Sequence, residues 1–304
     1  MVMAIVLIAG GTGLIGQETT SLLLSNNHQV RHLSRSPKAD AQVPTYAWDI
    51  KKKYIDPAAL EGVDYVINFA GAGIADQRWT EKRKQAIIDS RVQGNLLFKQ
   101  YIEEGKLSPK KFISSAAIGI YGDRGDEILT EKSSPGTEGF LVKSCLLWED
   151  SVREIGETNV PVAYVRIGIV MSKDGGALEK MLLPAKFGLG SYFGDGSQIY
   201  SWVHILDIAR VFAWLVEQPS AVGVYNGTAP HPVTNKHLTE VMMDVKKGPG
   251  ISAPVPTFVL GLMLGEMKEA VLTGSHVLPK RLEEEGFNFE FKKVDLALKD
   301  LISS

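Results

Sequence analysis

Near the amino terminus the chain reads Ile8-Ala9-Gly10-Gly11-Thr12-Gly13-Leu14-Ile15-Gly16, a G-x-x-G-x-x-G pattern between an apolar run and a helical pattern. The chemistry of such a loop is phosphate binding. Gly10 permits a tight turn, Gly13 lets the backbone approach a pyrophosphate, and Gly16 lets the following helix pack against the strand. Thr12, Leu14 and Ile15 complete the loop, and free N–H groups at the helix start meet the negative charge. A glycine-rich turn that binds nothing is the bland alternative, and the missing Gly-Lys-Ser/Thr disfavours a P-loop NTPase.

A second group follows the next apolar run, in Val30-Arg31-His32-Leu33-Ser34-Arg35-Ser36. An NAD-selective site places an acid here for the ribose hydroxyls, and this window has none. Ser34 and Arg35 suit a 2′-phosphate, because a guanidinium gives phosphate paired, charge-assisted hydrogen bonds. NADP(H) is therefore expected in preference to NAD(H). Asp49, after Trp48, is a candidate for the adenine amino group.

These groups need a scaffold, and the periodicity supplies one. Strands are expected at Ala4–Ala9, Gln29–Leu33, Tyr65–Phe69, Lys111–Ser115 and Val162–Ile167, with helices at Leu14–Leu24, Thr80–Glu104 (Thr80 as N-cap) and Phe140–Gly156 between them. That alternation predicts an α/β protein with a Rossmann-type, doubly wound parallel sheet. After Arg166 Gly and Pro become frequent. A strand over Gln198–Ile205, a helix over Asp207–Glu217 and a strand near Gly223–Asn226 follow, then helices at Pro256–Thr273 and Val294–Ile302. The expected division is a cofactor domain over 1–170, rejoined by 201–228, and a smaller α/β substrate-facing domain from 171–200 and 229–304.

The remaining numbers bound the function. With 304 residues, 44% apolar and 22% charged, the chain is long enough for about two domains. Its 35 acids and 33 bases leave a net charge of −2, so no nucleic-acid partner is expected. The apolar start Met1–Ala9 lacks a basic flank, so no signal peptide is expected, and Pro256–Gly265 is too short to span a bilayer. One cysteine, Cys145, excludes an internal disulfide and fits the cytoplasm. Six scattered histidines without ligand spacing predict no metal site.

The residues also carry a family resemblance. The glycine loop, Asn68-Phe69-Ala70-Gly71, Ser114-Ser115-Ala116-Ala117 with Tyr121-Gly122-Asp123, Val165-Arg166, and Gly194-Asp195-Gly196 with His204 and Asp207 resemble an extended short-chain dehydrogenase/reductase. More narrowly, Gly71-Ala72-Gly73 with Arg78-Trp79-Thr80, Ser90-Arg91, Asp174-Gly175-Gly176, Ser201-Trp202-Val203-His204, Asn226-Gly227-Thr228 and Gly265-Glu266-Met267 resemble the atypical epimerase-family subgroup of YfcH-like proteins. That resemblance implies NADP(H) binding, with Asn68, Ala70, Gly71 and Arg91 joining the cofactor site. It also implies a carboxy-terminal domain of unassigned role, DUF1731, at about 248–296.

Ordinary members use a Tyr four residues before a Lys, the ammonium and cofactor charge lowering the phenol's pKa. None of the nine tyrosines has a lysine at i+4. In the helix where the pair belongs, the two positions are Gly139 and Lys143, or, aligned on Trp148-Glu149, Leu141 and Cys145. Ser114 or Ser115 remains to orient a substrate oxygen, and Tyr121, Lys143 or Asp123 could move the proton, Tyr121 first. Arg91 stands where an Asn is usual and suits an anion. Tyr200 replaces a diphosphate-gripping Arg, which argues against a UDP-sugar. Arg78 and Trp79 could clamp an acidic or planar substrate, or Trp79 could only staple the next helix. Trp202 is a further substrate candidate, and His204 is expected to pair with Asp207 as a buried group. Two readings result: an NADP(H)-dependent oxidoreductase or epimerase-like enzyme for an unidentified small carbonyl or hydroxyl compound, or a cofactor-binding sensor or scaffold. A homodimer is compatible with either.

Overall fold

The computed structural model describes residues 3–38, 40–246 and 250–303. Met1 and Val2 of the apolar start, and residue 248, where the tail domain is expected to begin, lie outside them.

The first half alternates as its periodicity requires. β1 (Ile5–Ala9) leads through the glycine loop to α1 (Leu14–Ser25), followed by β2 (Gln29–Ser34), β3 (Thr45–Asp49), β4 (Tyr54–Ile55) and β5 (Tyr65–Asn68). Then come α2 (Glu81–Glu103), β6 (Lys111–Ala117), β7 (Gly125–Leu129), α3 (Phe140–Gly156) and β8 (Val162–Ile167). Thr80 caps α2 as expected, its side chain accepting from Arg83 N.

The second half is more broken: β9 (Ile169–Met171), α4 (Gly176–Ala185), β10 (Leu189–Phe193), β11 (Ile199–Tyr200), β12 (Trp202–His204), α5 (Ile205–Glu217) and β13 (Gly223–Gly227). After these run β14 (Val233–Thr234), α6 (Asn235–Lys246), β15 (Ile251–Val255), α7 (Thr257–Leu264), α8 (Glu269–Leu272), β16 (Ser275–Val277), α9 (Lys280–Glu284) and α10 (Val294–Ser303).

One sheet of 8 strands organises the molecule, in the order β13-β8-β6-β5-β1-β2-β3-β4. All its pairings are parallel but the last, β3 with β4. Successive side chains of a strand point to opposite faces, so an all-apolar strand fills two cores. Val6, Ile8, Ile67, Ile113 and Val165 pack with Leu23 of α1 and Phe212 of α5. Leu7, Ala9, Val66 and Phe112 pack on the other face with Phe98 of α2 and Ile155 of α3. Strand order reverses at β1, between β2 and β5, and the crevice at that switch point is where such sheets bind ligands.

A smaller lobe has its own core of Met171, Leu178, Tyr200, Trp202, Leu238, Met242 and Leu298. Short pairs support it: β10 with β15, β11 with β14, β9 with β12, and β7 with β16. Asp207, fully buried at the start of α5, accepts from Glu290 N at 2.9 Å and Phe291 N at 2.8 Å and so ties the carboxy-terminal segment to the sheet.

Three expectations change. The helix foreseen over Pro256–Thr273 breaks at Gly265, whose φ of 60° is left-handed, leaving α7, a 3₁₀ turn and α8. The strand foreseen over Gln198–Ile205 is two, β11 and β12, and Ile205 already opens α5 behind His204 as N-cap. Asp207 serves the tail and Arg210, and the acid beside His204 is Asp300, at 3.3 Å from Nε2. Among the described residues, no helix is long and apolar enough to cross a membrane.

Candidate functional site

The glycine loop is shaped by one hydrogen bond, one left-handed residue and one close approach. Gly13 N donates to Gly10 O at 3.0 Å, and Gly10 has φ +77°, a conformation that favours glycine. A Cβ on Gly16 would lie 2.4 Å from Gly10 O, so strand and helix meet there only without a side chain. Gly13, by contrast, is exposed, and a Cβ on it would approach only Gly10 O, at 3.3 Å. It is the N-cap of α1 and offers no capping side chain, and no acid sits in the first turn. The first amides of a twelve-residue helix therefore face outward beside Thr12, Leu14 and Ile15 with no side-chain acceptor of their own, as an anion site requires.

His32 supports this loop from below. A Cβ on Gly11 would fall 2.3 Å from the imidazole Cδ2. The ring's Nε2 is 2.8 Å from Thr20 Oγ1, which donates to Gly16 O at 2.7 Å. Thr20's one hydroxyl proton is thus used, which makes Nε2–H of His32 the donor. Burial holds the His32 pKa below its ordinary value.

At the end of β2, Ser34 Oγ accepts from Ser36 N at 3.1 Å, while Arg35 is exposed beside it. Asp49 Oδ1 accepts from Lys51 N at 2.9 Å and Lys52 N at 3.2 Å, closing its own turn. Asn68 shapes the next loop: its Oδ1 accepts from Ala70 N at 3.0 Å and its Nδ2 donates to Asn95 Oδ1 at 2.7 Å. The turn Ala70-Gly71-Ala72 is held in place by that side chain and by Ser90 Oγ, which accepts from Ala72 N at 2.9 Å. Arg91 packs its guanidinium against Gly71.

The buried side of α3 mixes apolar residues with Ser144, Glu149 and Ser151. Lys143 is exposed, while Cys145 is buried and Leu141 half-buried. Burial, with Glu149 nearby, pushes the Cys145 thiol up to about 12, an inert group at neutral pH. Ser114 and Ser115 are buried, their hydroxyls donating to Ser115 O at 2.9 Å and Asn68 O at 3.0 Å.

Several sequence candidates occupy other places. Tyr121 is fully buried, its hydroxyl 2.8 Å from both Asn226 Oδ1 and Arg166 Nη1 and 3.0 Å from Thr130 O. Burial raises its pKa even with Arg166 alongside. Trp79 is buried against Phe140 and donates Nε1–H to Ile74 O at 2.9 Å, a staple for the start of α2. Trp202 is a core residue of the smaller lobe, its indole donating to His231 O at 3.0 Å. Tyr200 is buried too, its hydroxyl donating to Val271 O at 2.6 Å. Asp123 is exposed and accepts from Gly125 N at 3.2 Å. Arg78 is exposed and donates to Leu262 O at 2.7 Å.

Beyond α3 opens a cleft of about 570 Å³, lined among others by Tyr121, Arg124, Glu138, Leu141, Glu269 and Thr273. Glu269 reaches in from α8 and accepts from Phe140 N at 3.4 Å and Leu141 N at 3.2 Å, capping α3 from another lobe. Sequence reasoning missed it. The only signal was a helix beginning at Phe140 with no capping residue of its own. Lys84 holds the same segment through Glu266 at 2.9 Å. Among the described residues, no group of three or more His, Cys, Asp or Glu could hold a metal ion.

A large parallel sheet with helices on both faces and a glycine loop opening α1 define a Rossmann-like short-chain dehydrogenase/reductase fold. The family model for the NAD dependent epimerase/dehydratase family matches residues 6–226, and that of DUF1731, a domain of unknown function, matches residues 255–301. The Epimerase family protein YfhF of Bacillus subtilis is 36% identical over 297 residues, 97% of either chain. The chloroplastic SDR39U1 homolog of Arabidopsis thaliana is 33% identical over 97% of this chain and 86% of its own. Human epimerase family protein SDR39U1, solved with NADPH, superposes with a TM-score of 0.89 at 29% identity, covering 99% of both chains. The chain belongs to the NAD dependent epimerase/dehydratase family and carries the DUF1731 domain.

Proposed function

We propose that the protein binds NADP(H) at the Gly10–Gly16 loop and is an oxidoreductase or epimerase-like enzyme for a small carbonyl or hydroxyl compound. The observation that carries this reading is the exposed, uncapped amino end of α1 at Gly13. Arg35, exposed just past β2, supports the choice of the 2′-phosphorylated cofactor, and the related human protein was solved with NADPH. Bound there, the cofactor would supply or accept a hydride. The chain's part is to hold the pyrophosphate on the α1 amides, to hold the 2′-phosphate with Ser34 and Arg35, and to place Ser114 or Ser115 near a substrate oxygen. Tyr121 remains the phenol nearest in chemistry to the usual donor, but its hydroxyl is engaged by Arg166, Asn226 and Thr130.

That engagement favours a second reading, a cofactor-binding sensor or scaffold without turnover. Titration with NADPH, followed by its fluorescence and by melting temperature, tests the shared premise: no response near millimolar concentration refutes both. A panel of carbonyls, quinones and alcohols then divides them, since turnover of any one supports the enzyme and binding without turnover supports the sensor. We place the protein in the cytoplasm on its single buried cysteine.

A further inference from the structure

Arg91 lies in the middle of α2, yet its guanidinium is turned inward and largely desolvated. Both of its hydrogen bonds are made by Nη1, to Ala72 O and Ile87 O at 3.0 Å each. Its flat face covers the Trp148 ring, Cζ standing 4.8 Å from the centroid, and the same Cζ is 3.1 Å from where a Cβ on Gly71 would stand. One end of the fork is thus fixed on the turn after β5 and its face on α3. Nε and Nη2 are left without a partner among the described residues. A guanidinium carries five N–H donors in a fixed fork and keeps its charge, and neither Nε nor Nη2 is among the fully buried orphan atoms, so both remain available to a ligand.

The place of these spare donors decides what they would meet. The Ala70-Gly71-Ala72 turn leaves the carboxyl end of β5, next to β1 and its glycine loop. A dinucleotide with its pyrophosphate on α1 extends across this switch point, and its second nucleoside falls toward β6 and α3. That side of α3 offers no cation: Lys143 faces solvent and Cys145 fills the inner position. The charge absent from α3 is therefore restored from α2.

We propose that Arg91 anchors the nicotinamide-ribose half of the bound cofactor, donating from Nε and Nη2 to that half's neutral oxygens, and so stands in for the lysine that α3 lacks. The inference rests on the NADP(H) reading above and specifies which half of the cofactor Arg91 serves. It is a positioning role, so the test uses two ligands that share one half: NADPH, and adenosine 2′,5′-bisphosphate, which lacks the nicotinamide ribose.

In calorimetric titrations Arg91→Met is expected to weaken NADPH by roughly tenfold or more, the worth of a charge-assisted hydrogen bond, and adenosine 2′,5′-bisphosphate by less than about twofold. Arg91→Lys should recover part of the NADPH loss. Unchanged bisphosphate binding shows at the same time that the variant is folded and its glycine loop intact. If Arg91→Met does not fold, Arg91→Lys carries the test alone, with a smaller loss confined to NADPH. Equal losses on both ligands, or no loss on NADPH, overturn the assignment. A wild-type protein that binds neither ligand refutes the NADP(H) reading itself.

Discussion

Arg166 grips Glu149 at two points, Nε to Oε1 at 2.7 Å and Nη2 to Oε2 at 2.9 Å, while the third nitrogen of the same guanidinium donates to the Tyr121 hydroxyl at 2.8 Å. β8, α3 and the loop after β6 are joined by one planar group with little exposure at any of the three residues. The expected cost of breaking a buried pair on one side is about 3–5 kcal/mol, since the remaining charge stays desolvated. Glu149→Gln should therefore lower the melting temperature sharply, and a change under about 1 kcal/mol by chemical denaturation would contradict the pairing.

Tyr121→Phe separates structure from chemistry. It removes a hydroxyl with three partners, so stability should fall by about 1–3 kcal/mol. NADPH affinity should hold, and loss of turnover far beyond the stability effect, on any substrate found active, would restore Tyr121 as the proton donor.

Gly11 is constrained by His32 rather than by a ligand. Gly11→Ala drives a methyl into the imidazole and should cost about 1–3 kcal/mol by overpacking. In a His32→Ala background the same substitution should cost much less, a coupling that a double-mutant cycle measures. Equal costs in both backgrounds would show that the ring does not set the residue.

Arg35→Ala tests cofactor choice. NADPH should weaken by roughly tenfold or more while NADH changes by less than about twofold, because only the former has the 2′-phosphate. Parallel losses in the two titrations would refute the assignment.

Lys111 gives a pH signature. Its ammonium is fully buried at the end of α5, donating to Leu215 O at 2.8 Å and Gln218 O at 2.6 Å, and burial lowers its pKa to about 8. The unfolded chain keeps the proton to about pH 10.4, so between about 8 and 10.4 it binds more protons than the native state and this residue's contribution to stability rises with pH. The difference in unfolding free energy between wild type and Lys111→Met should grow across that window and stay flat below it. A flat difference throughout would contradict the shifted value.

The loop and sheet were legible because their signals are local. Apolar runs such as Ile5–Ala9 and Tyr65–Asn68 can hardly be anything but strands buried on both faces, and Gly10, Gly13 and Gly16 report on one turn. Arg91 was legible as a residue out of family pattern, though its approach to Gly71 and Trp148 was not. What escaped was long-range: Glu269 capping α3, Asp207 serving Glu290 and Phe291, and β16 pairing with β7. None of these has a sequence period, since each joins segments whose proximity is decided by the packing of whole lobes. Trp202 lies in a core rather than a cleft, and Trp79 takes the staple role, one of its two expected readings, because an aromatic side chain has the same appearance in sequence whether it lines a cleft or fills a core.

The position of β13 has a consequence for biosynthesis. Its neighbour β8 is finished at Ile167, but β13 does not begin until Gly223, after α4 and α5 have been made. A nascent chain passing through that interval holds an apolar strand with one hydrogen-bonding edge open, the kind of edge that recruits other chains. Truncations between the two strands should therefore yield aggregates, whereas truncation after Gly227 should leave β8 paired on both sides, with β13 as the edge strand.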